Sequence, residues 1–335
     1  MANLYDGMNV NFEAVLLAAA DRVAGTQYRQ VTKQWFLSAD HCHQDWQVEL
    51  CARSHPRRVP YWAPAAARAA AHAVERPGSV VGGFSALALY GMPFLVEGAD
   101  TLLFSATAKN QVGGARTPTV RRPSARPGSV WSLSHRGVTL RAAAPADAVV
   151  QALKEIRRGG HRWATVAVEG FTAEEVMAIQ LVDCARRFLG VQLPHIRAAA
   201  AQKINVEWLN RVLENSSVLA DSPKETEMRL LVTALAARYG CTVQEQVPFI
   251  VDGVIVTVFD LAIPELKIAI MYDGVHHGER KQRNKDSSIN LKMIRGGWTP
   301  ARCASDTMFE CLGLVEDLLR EMNSLHTPGR VNKSG

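Results

Sequence analysis

Two stretches decide how this chain is read: residues 222–231, SPKETEMRLL, and residues 259–277, FDLAIPELKIAIMYDGVHH. The first opens a helix. Ser222 is a cap residue, and Pro223 stands at the first helical position, where a missing N–H is no loss. The pattern predicts a helix running to Tyr239 and stopped by Gly240. Its apolar stripe is Met228, Val232, Leu235, Ala236 and Tyr239. At about 100° per residue, Glu225 falls inside the stripe and Glu227 well off it. Glu225 is therefore expected to face the strands, and Glu227 solvent. The second stretch reads as two strands about a turn at Pro264-Glu265: Val254–Leu261, then Lys267–Asp273. With the turn centred there, Asp260 and Met271 lie nearly opposite each other, at a cross-strand distance of roughly 4.5–5.5 Å. Asp273 shares the face of Met271. Asp260 also closes the row Val254, Val256, Val258, where a carboxylate is unfavourable unless paired or bound to a cation.

Outward from this hairpin the pattern stays regular. Val243–Val251 is a strand that turns at Asp252-Gly253. Downstream come a basic loop (Arg280, Lys281, Arg283, Lys285), a helix over Asp286–Arg295, a strand over Trp298–Arg302 and a helix over Ser305–Leu325. Pro300 cannot donate to a ladder, so that strand is expected at an edge or a bulge. The order over 222–325 is α-β-β-β-α-β-α, with 326–335 as a flexible tail. A helix glutamate, a strand aspartate and a second acidic position on the next strand suit a hard divalent ion such as Mg²⁺ or Mn²⁺. The bland alternative is a hairpin with surface carboxylates.

These motifs, together with Asp286, Leu291 and Gly297-Trp298, resemble the PD-(D/E)XK nuclease superfamily, in particular the actinobacterial branch related to very-short-patch-repair (Vsr-like) endonucleases. The resemblance spans about one hundred residues, 222–325. It implies a metal-dependent DNA endonuclease in which Glu225 is the helix glutamate, Asp260 and Asp273 hold Mg²⁺ or Mn²⁺, and His276 or His277 is the general base. One departure matters: where that family carries a strand glutamate, this chain has Met271. A thioether is a soft, weak ligand for Mg²⁺. The resemblance therefore leaves two expectations, a working phosphodiesterase or an antitoxin-like transcriptional repressor with a catalytically dead nuclease fold.

The upstream chain reads as two further domains, making an α+β multidomain protein. Residues 65–215 form a mixed α/β middle domain, in which 78–94 (GSVVGGFSALALYGMPF), 143–153 (AAPADAVVQAL) and 179–190 (IQLVDCARRFLG) resemble abortive-infection (AbiE) type IV antitoxins. Those are DNA-binding repressors, which implies DNA and a partner toxin as partners. Residues 1–64 suggest helices over Phe12–Val23, Tyr28–Leu37 and Ala39–Cys51, then a basic segment, the pattern of a winged helix-turn-helix. His41, Cys42, His43, Cys51 and His55 have loosely ligand-like spacing, but structural zinc shows tighter pairs, and they read as ordinary helix residues.

Composition sets the outer bounds. The chain has 335 residues, 47% hydrophobic and 21% charged, which excludes wholesale disorder. No apolar run reaches the length of a membrane span, and the start lacks the basic region of a signal peptide, so a cytoplasmic protein is expected. Six irregularly spaced cysteines suggest reduced thiols, with Cys184, Cys241, Cys303 and Cys311 as small buried hydrophobes. The net charge is +6, which permits a polyanionic partner. Between Gly113 and Arg141 there is no acidic residue, while Arg116, Arg121, Arg122 and Arg126 are present. With the basic loop at 280–285, these are the candidate phosphate contacts.

Overall fold

The computed structural model describes residues 16–123, 128–135, 137–272, 280–304 and 306–326, with the side chains of 135, 280–286 and 322–326 set aside. The protein is a mixed α+β chain, with three sheets among the described residues. It divides into two compact units. One comprises Met1–Thr165 and Ala173–Val218, the other Val166–Thr172 and Leu219–Gly335. The domains expected over 1–64 and 65–215 thus share one unit.

The first unit opens with β1 (Leu17–Ala18), β2 (Tyr28–Gln30) and β3 (Trp35–Ser38), a small antiparallel sheet in the order β1-β3-β2. This corrects the helix expected over Tyr28–Leu37. Tyr28, Val31, Thr32, Trp35 and Phe36 are the β-branched and aromatic residues that favour strands. The Val31 and Thr32 N–H groups both donate to the Trp35 carbonyl and close the turn. Among the described residues up to 64, α1 (Asp45–Ser54) is the one α-helix, so the three helices of a winged helix-turn-helix are not assembled there. Of the expected Phe12–Val23 helix, the described part is β1 and a 3-10 turn.

Next come α2 (Ala65–Glu75), β4 (Val80–Val81), α3 (Gly83–Leu89), β5 (Leu102–Phe104), β6 (Thr119–Arg121), β7 (Val130–His135) and β8 (Val138–Ala143). The strands form a five-stranded sheet in the order β6-β5-β4-β8-β7. Helix α2 has seven alanines among its eleven residues and is buried along most of its length, so backbones pack closely around it. A Cβ at Gly82 would run into the Phe104 ring, which is why glycine stands between β4 and α3. Helices α4 (Pro145–Arg157), α5 (Ala173–Leu189), α6 (Leu193–Ala200) and α7 (Val206–Glu214) complete the unit. The single helix expected over Pro194–Asn215 is broken in two. Gln202 takes a left-handed φ of 59°, and the Asn205 side chain caps α7 by accepting from the Trp208 N–H at 2.8 Å.

The second unit runs α8 (Pro223–Arg238), β9 (Gln244–Val251), β10 (Val254–Ile263), β11 (Ile268–Tyr272), α9 (Arg280–Arg295), β12 (Thr299–Cys303) and α10 (Met308–His326). Its order is α-β-β-β-α-β-α. The sheet order is β12-β11-β10-β9, with β11 and β12 parallel and the other pairs antiparallel. Asp252 and Gly253, with φ of 51° and 76°, make the tight turn between β9 and β10. Pro300 lies on the edge strand β12. One face of the sheet packs Leu261, Ile263, Ile268 and Ile270 against Met228, Val232 and Leu235 of α8 and Val315 and Leu319 of α10. The other packs Phe249, Phe259, Ala262, Ala269 and Met271 against Ile289 and Met293 of α9.

Two expectations about its helix bounds and its cysteines fail. The basic run 280–285 is the start of α9 and not a loop, which lengthens that helix by about six residues over the expected start at Asp286. Cys303 and Cys311 form a disulfide and are not free thiols: the end of β12 and the first turn of α10 bring their Cα atoms to 5.7 Å, inside the usual bridging range. Cys184 is a buried free thiol and Cys241 a half-buried one.

Candidate active site

The register places the expected carboxylates together in part. Leu261 pairs with Ile270 and Ala262 with Ala269, and the ladder ends there, one step short of Asp260 and Met271. The Tyr272 N–H donates to Asp260 Oδ2 at 2.7 Å, and the Gln246 amide reaches Oδ1 at 3.5 Å. Asp260 sits at a break in strand alternation. Phe259 packs on the α9 side of the sheet, whereas Leu261, two residues on, packs on the α8 side. In a regular strand those two would share a face. Opposite the break, Gln246 of β9 has a left-handed φ of 51°. A further register shift between Ile255 and Thr257 breaks the expected row of valines. Val256 packs inward while Val254 and Val258 are exposed, so Asp260 does not close a continuous apolar row.

Glu225 comes from the first turn of α8. Its carboxylate accepts from the Asp221 N–H at 2.9 Å and the Ser222 hydroxyl at 3.0 Å, while Ser222 Oγ accepts from the Glu225 N–H at 3.2 Å. This reciprocal capping holds the side chain at the helix start. Burial pushes the Glu225 carboxyl above its usual range, and the neighbouring Asp260 carboxylate adds to the rise. Glu225 thus lies near enough to Asp260 to feel its charge.

The helical stripe misplaced Glu227, whose side chain is fully buried. Lys224 Nζ pairs with it at 2.6 Å, and the Val166 N–H donates to it at 3.4 Å. The segment Val166–Thr172 belongs to this unit and covers that side of α8. A helical wheel drawn on 223–238 carries no trace of a segment about sixty residues upstream.

Met271 is buried, 6% exposed, in the apolar cluster with Phe259, Ile289 and Met293. Asp273, His276 and His277 lie outside the described residues. Among the described residues, no three His, Cys, Asp or Glu side chains are grouped to hold a metal ion. Glu225 and Asp260 supply two carboxylates, each already accepting hydrogen bonds from the fold, and the third position is a thioether turned into an apolar cluster. Among the described residues that donor set does not complete a site for Mg²⁺ or Mn²⁺. The loosely zinc-spaced residues are also dispersed into local contacts: Cys42 to the Ser38 carbonyl, His43 to Glu97 and His55 to Asp100.

The expected phosphate contacts divide in three. Arg116 is exposed and donates to Gln30 Oε1 at 2.7 Å, and Arg122 is exposed. Arg121 is half-buried and forms a two-pronged pair with Glu155. Arg126 lies outside the described residues. Arg280, Lys281, Arg283 and Lys285 fall within the first two turns of α9, and Lys292 and Arg295 are exposed in its last turn. No helix among the described residues is long and apolar enough to cross a membrane. No family model, curated protein or solved structure matches the chain.

Proposed function

We propose that the protein is a DNA-binding regulator of the antitoxin-like kind, and that its C-terminal unit is a Vsr-like PD-(D/E)XK fold used for recognition without hydrolysis. The observation that carries this reading is the burial of Met271. One step past the last β10–β11 pair stands a buried apolar side chain, Met271, where the family resemblance calls for a second acidic ligand. DNA as the partner is supported by the net charge of +6, the exposed Arg116 and Arg122, and the run of cations along α9.

A second reading, a working metal-dependent endonuclease, is favoured by one observation. The Asp260 carboxylate adds to the cost of ionising Glu225, and a bound cation relieves such repulsion.

One experiment separates the two. Wild type and Asp260→Ala are tested for retardation of duplex DNA across a salt series, and for nicking of supercoiled DNA with Mg²⁺ or Mn²⁺. The regulator reading expects retardation whose affinity falls with salt by a log–log slope of about 0.9 per neutralised phosphate, and no nicking by either protein. Nicking by wild type that Asp260→Ala abolishes overturns it in favour of the endonuclease. No retention of DNA even at low salt removes both readings.

A further inference from the structure

The first unit contains a cleft of about 370 Å³ lined by Arg57, Asp100, Asn110, Arg121, Glu155 and Gly160, among others. That volume lies within the range of small-molecule sites. A much smaller chamber of about 20 Å³, holding about one water, shares Asp100, Thr119, Glu155 and Gly160 with it and is also lined by His161.

The hydrogen-bonding inventory of this cleft is lopsided. Asp100 takes two donors on each oxygen: His55 Nε2 at 3.0 Å and the Tyr61 hydroxyl on Oδ1, Arg57 Nη2 and the Thr119 hydroxyl on Oδ2. A carboxylate has about four lone-pair sites, so Asp100 is filled. Glu155 is gripped by both Nη atoms of Arg121, with Arg158 at 3.5 Å. The guanidiniums are not filled. Each offers about five N–H donors. Arg57 uses two, on Asp100 and the Gly113 carbonyl, and Arg121 uses two, both on Glu155. The acids also lie deeper: the Asp100 and Glu155 side chains are 21% and 15% exposed, against 40% and 34% for Arg57 and Arg121. The cleft is therefore lined by guanidiniums with N–H capacity to spare, fixed in place by acids that need nothing more.

A cavity with donors in excess calls for an acceptor-rich ligand. We propose that this cleft binds the phosphate of a small phosphomonoester of mononucleotide size or less, held on the unused N–H edges of Arg57 and Arg121. A phosphate supplies three strong acceptor oxygens and more negative charge than a carboxylate. The inner chamber has a complementary gap. His161 Nε2 donates to the Leu95 carbonyl at 2.8 Å, which leaves Nδ1 an acceptor, and that atom is buried without a hydrogen-bond partner. A ligand hydroxyl reaching that ring would supply the missing donor.

The test uses the full chain, with isothermal titration by adenosine 5′-monophosphate, inorganic phosphate and adenosine. Adenosine monophosphate is expected to bind saturably at one site, inorganic phosphate more weakly, and adenosine not at all. Arg121→Gln and Arg57→Gln are expected to weaken binding at least tenfold, and Arg197→Gln, an exposed change on α6 that does not line the cleft, to leave it unchanged. Arg121→Lys keeps the charge and loses the planar fork, so it serves if a glutamine variant does not fold, and it too should weaken binding. The proposal is overturned if no phosphate compound binds, if adenosine binds equally well, or if the cleft variants bind like wild type. Displacement of the mononucleotide by duplex DNA at equal phosphate concentration also overturns it, because the cleft is then part of a nucleic-acid surface.

Discussion

The backbone N–H of Tyr272 donates to the Asp260 carboxylate at 2.7 Å, so the last residue of β11 is fastened to a side chain of β10. The bond lies where alternation along β10 breaks between Phe259 and Leu261. Asp260 thus closes a ladder position that the break would leave open, whatever else it does. Asp260→Ala is expected to lower stability by about 1–3 kcal/mol, the usual result of stranding a half-buried donor. Asp260→Asn keeps an acceptor and removes the charge facing Glu225, and should lose less. Denaturant melts of the two variants check the order. Equal losses would mean that the charge and not the hydrogen bond is what the fold uses.

Met271→Glu probes the missing ligand. The position is buried among Phe259, Ile289 and Met293, so a carboxylate there is desolvated as well as opposed to Asp260. We expect a loss of roughly 3 kcal/mol or more without metal. Part of it should return with Mn²⁺ or Mg²⁺, since an ion that binds only the folded state stabilises it. Melting temperatures with and without metal decide the matter: wild type should not respond. If the variant does not respond either, Asp260 is not poised to hold a cation.

Glu227 ties α8 to the Val166 N–H. Glu227→Ala should cost about 1–3 kcal/mol and should speed proteolytic cutting within 166–172 relative to wild type. Lys224→Ala, which leaves Glu227 buried without that cation, should have the same direction. Unchanged cleavage in both variants would mean that the segment is held by other contacts.

His161 gives the first unit an acid sensitivity. Its burial lowers the imidazole to about 4, from 6.5. In the unfolded chain it takes up a proton as pH falls through 6.5, while in the folded chain it resists until about 4. Stability contributed by the neutral ring is therefore present above pH 6.5 and lost as pH falls towards 4, by an amount on the order of 3 kcal/mol. His72, lowered to about 3 by burial and by Arg76 and Arg68, acts in the same direction. His161→Phe should flatten the fall in stability between pH 6.5 and 4, even if it costs stability at pH 7 through the lost bond to Leu95. Parallel pH profiles for variant and wild type would refute the assignment.

What the sequence determined by itself is local. The helix at Ser222-Pro223, the turn at Pro264-Glu265 and the hairpin that carries Asp260 and Met271 follow from caps, turn residues and periodicity, which act over a few positions and leave their mark in the order of residues. The placement of Glu225 in the first turn of that helix follows from the same local geometry. The tertiary structure decided the rest, because it brings together residues that no window joins. Val166–Thr172 buries Glu227 on a face its own helix leaves polar. A left-handed Gln246 across from Asp260 accompanies a break that strict alternation does not contain. Cys303 and Cys311 become bonded only when β12 and α10 meet at a corner. At Tyr28–Ser38 both levels agree on strands once β-branched and aromatic residues are weighted above helical spacing, and there the packing of Val31, Trp35 and Leu37 against α2 chose between the two periods.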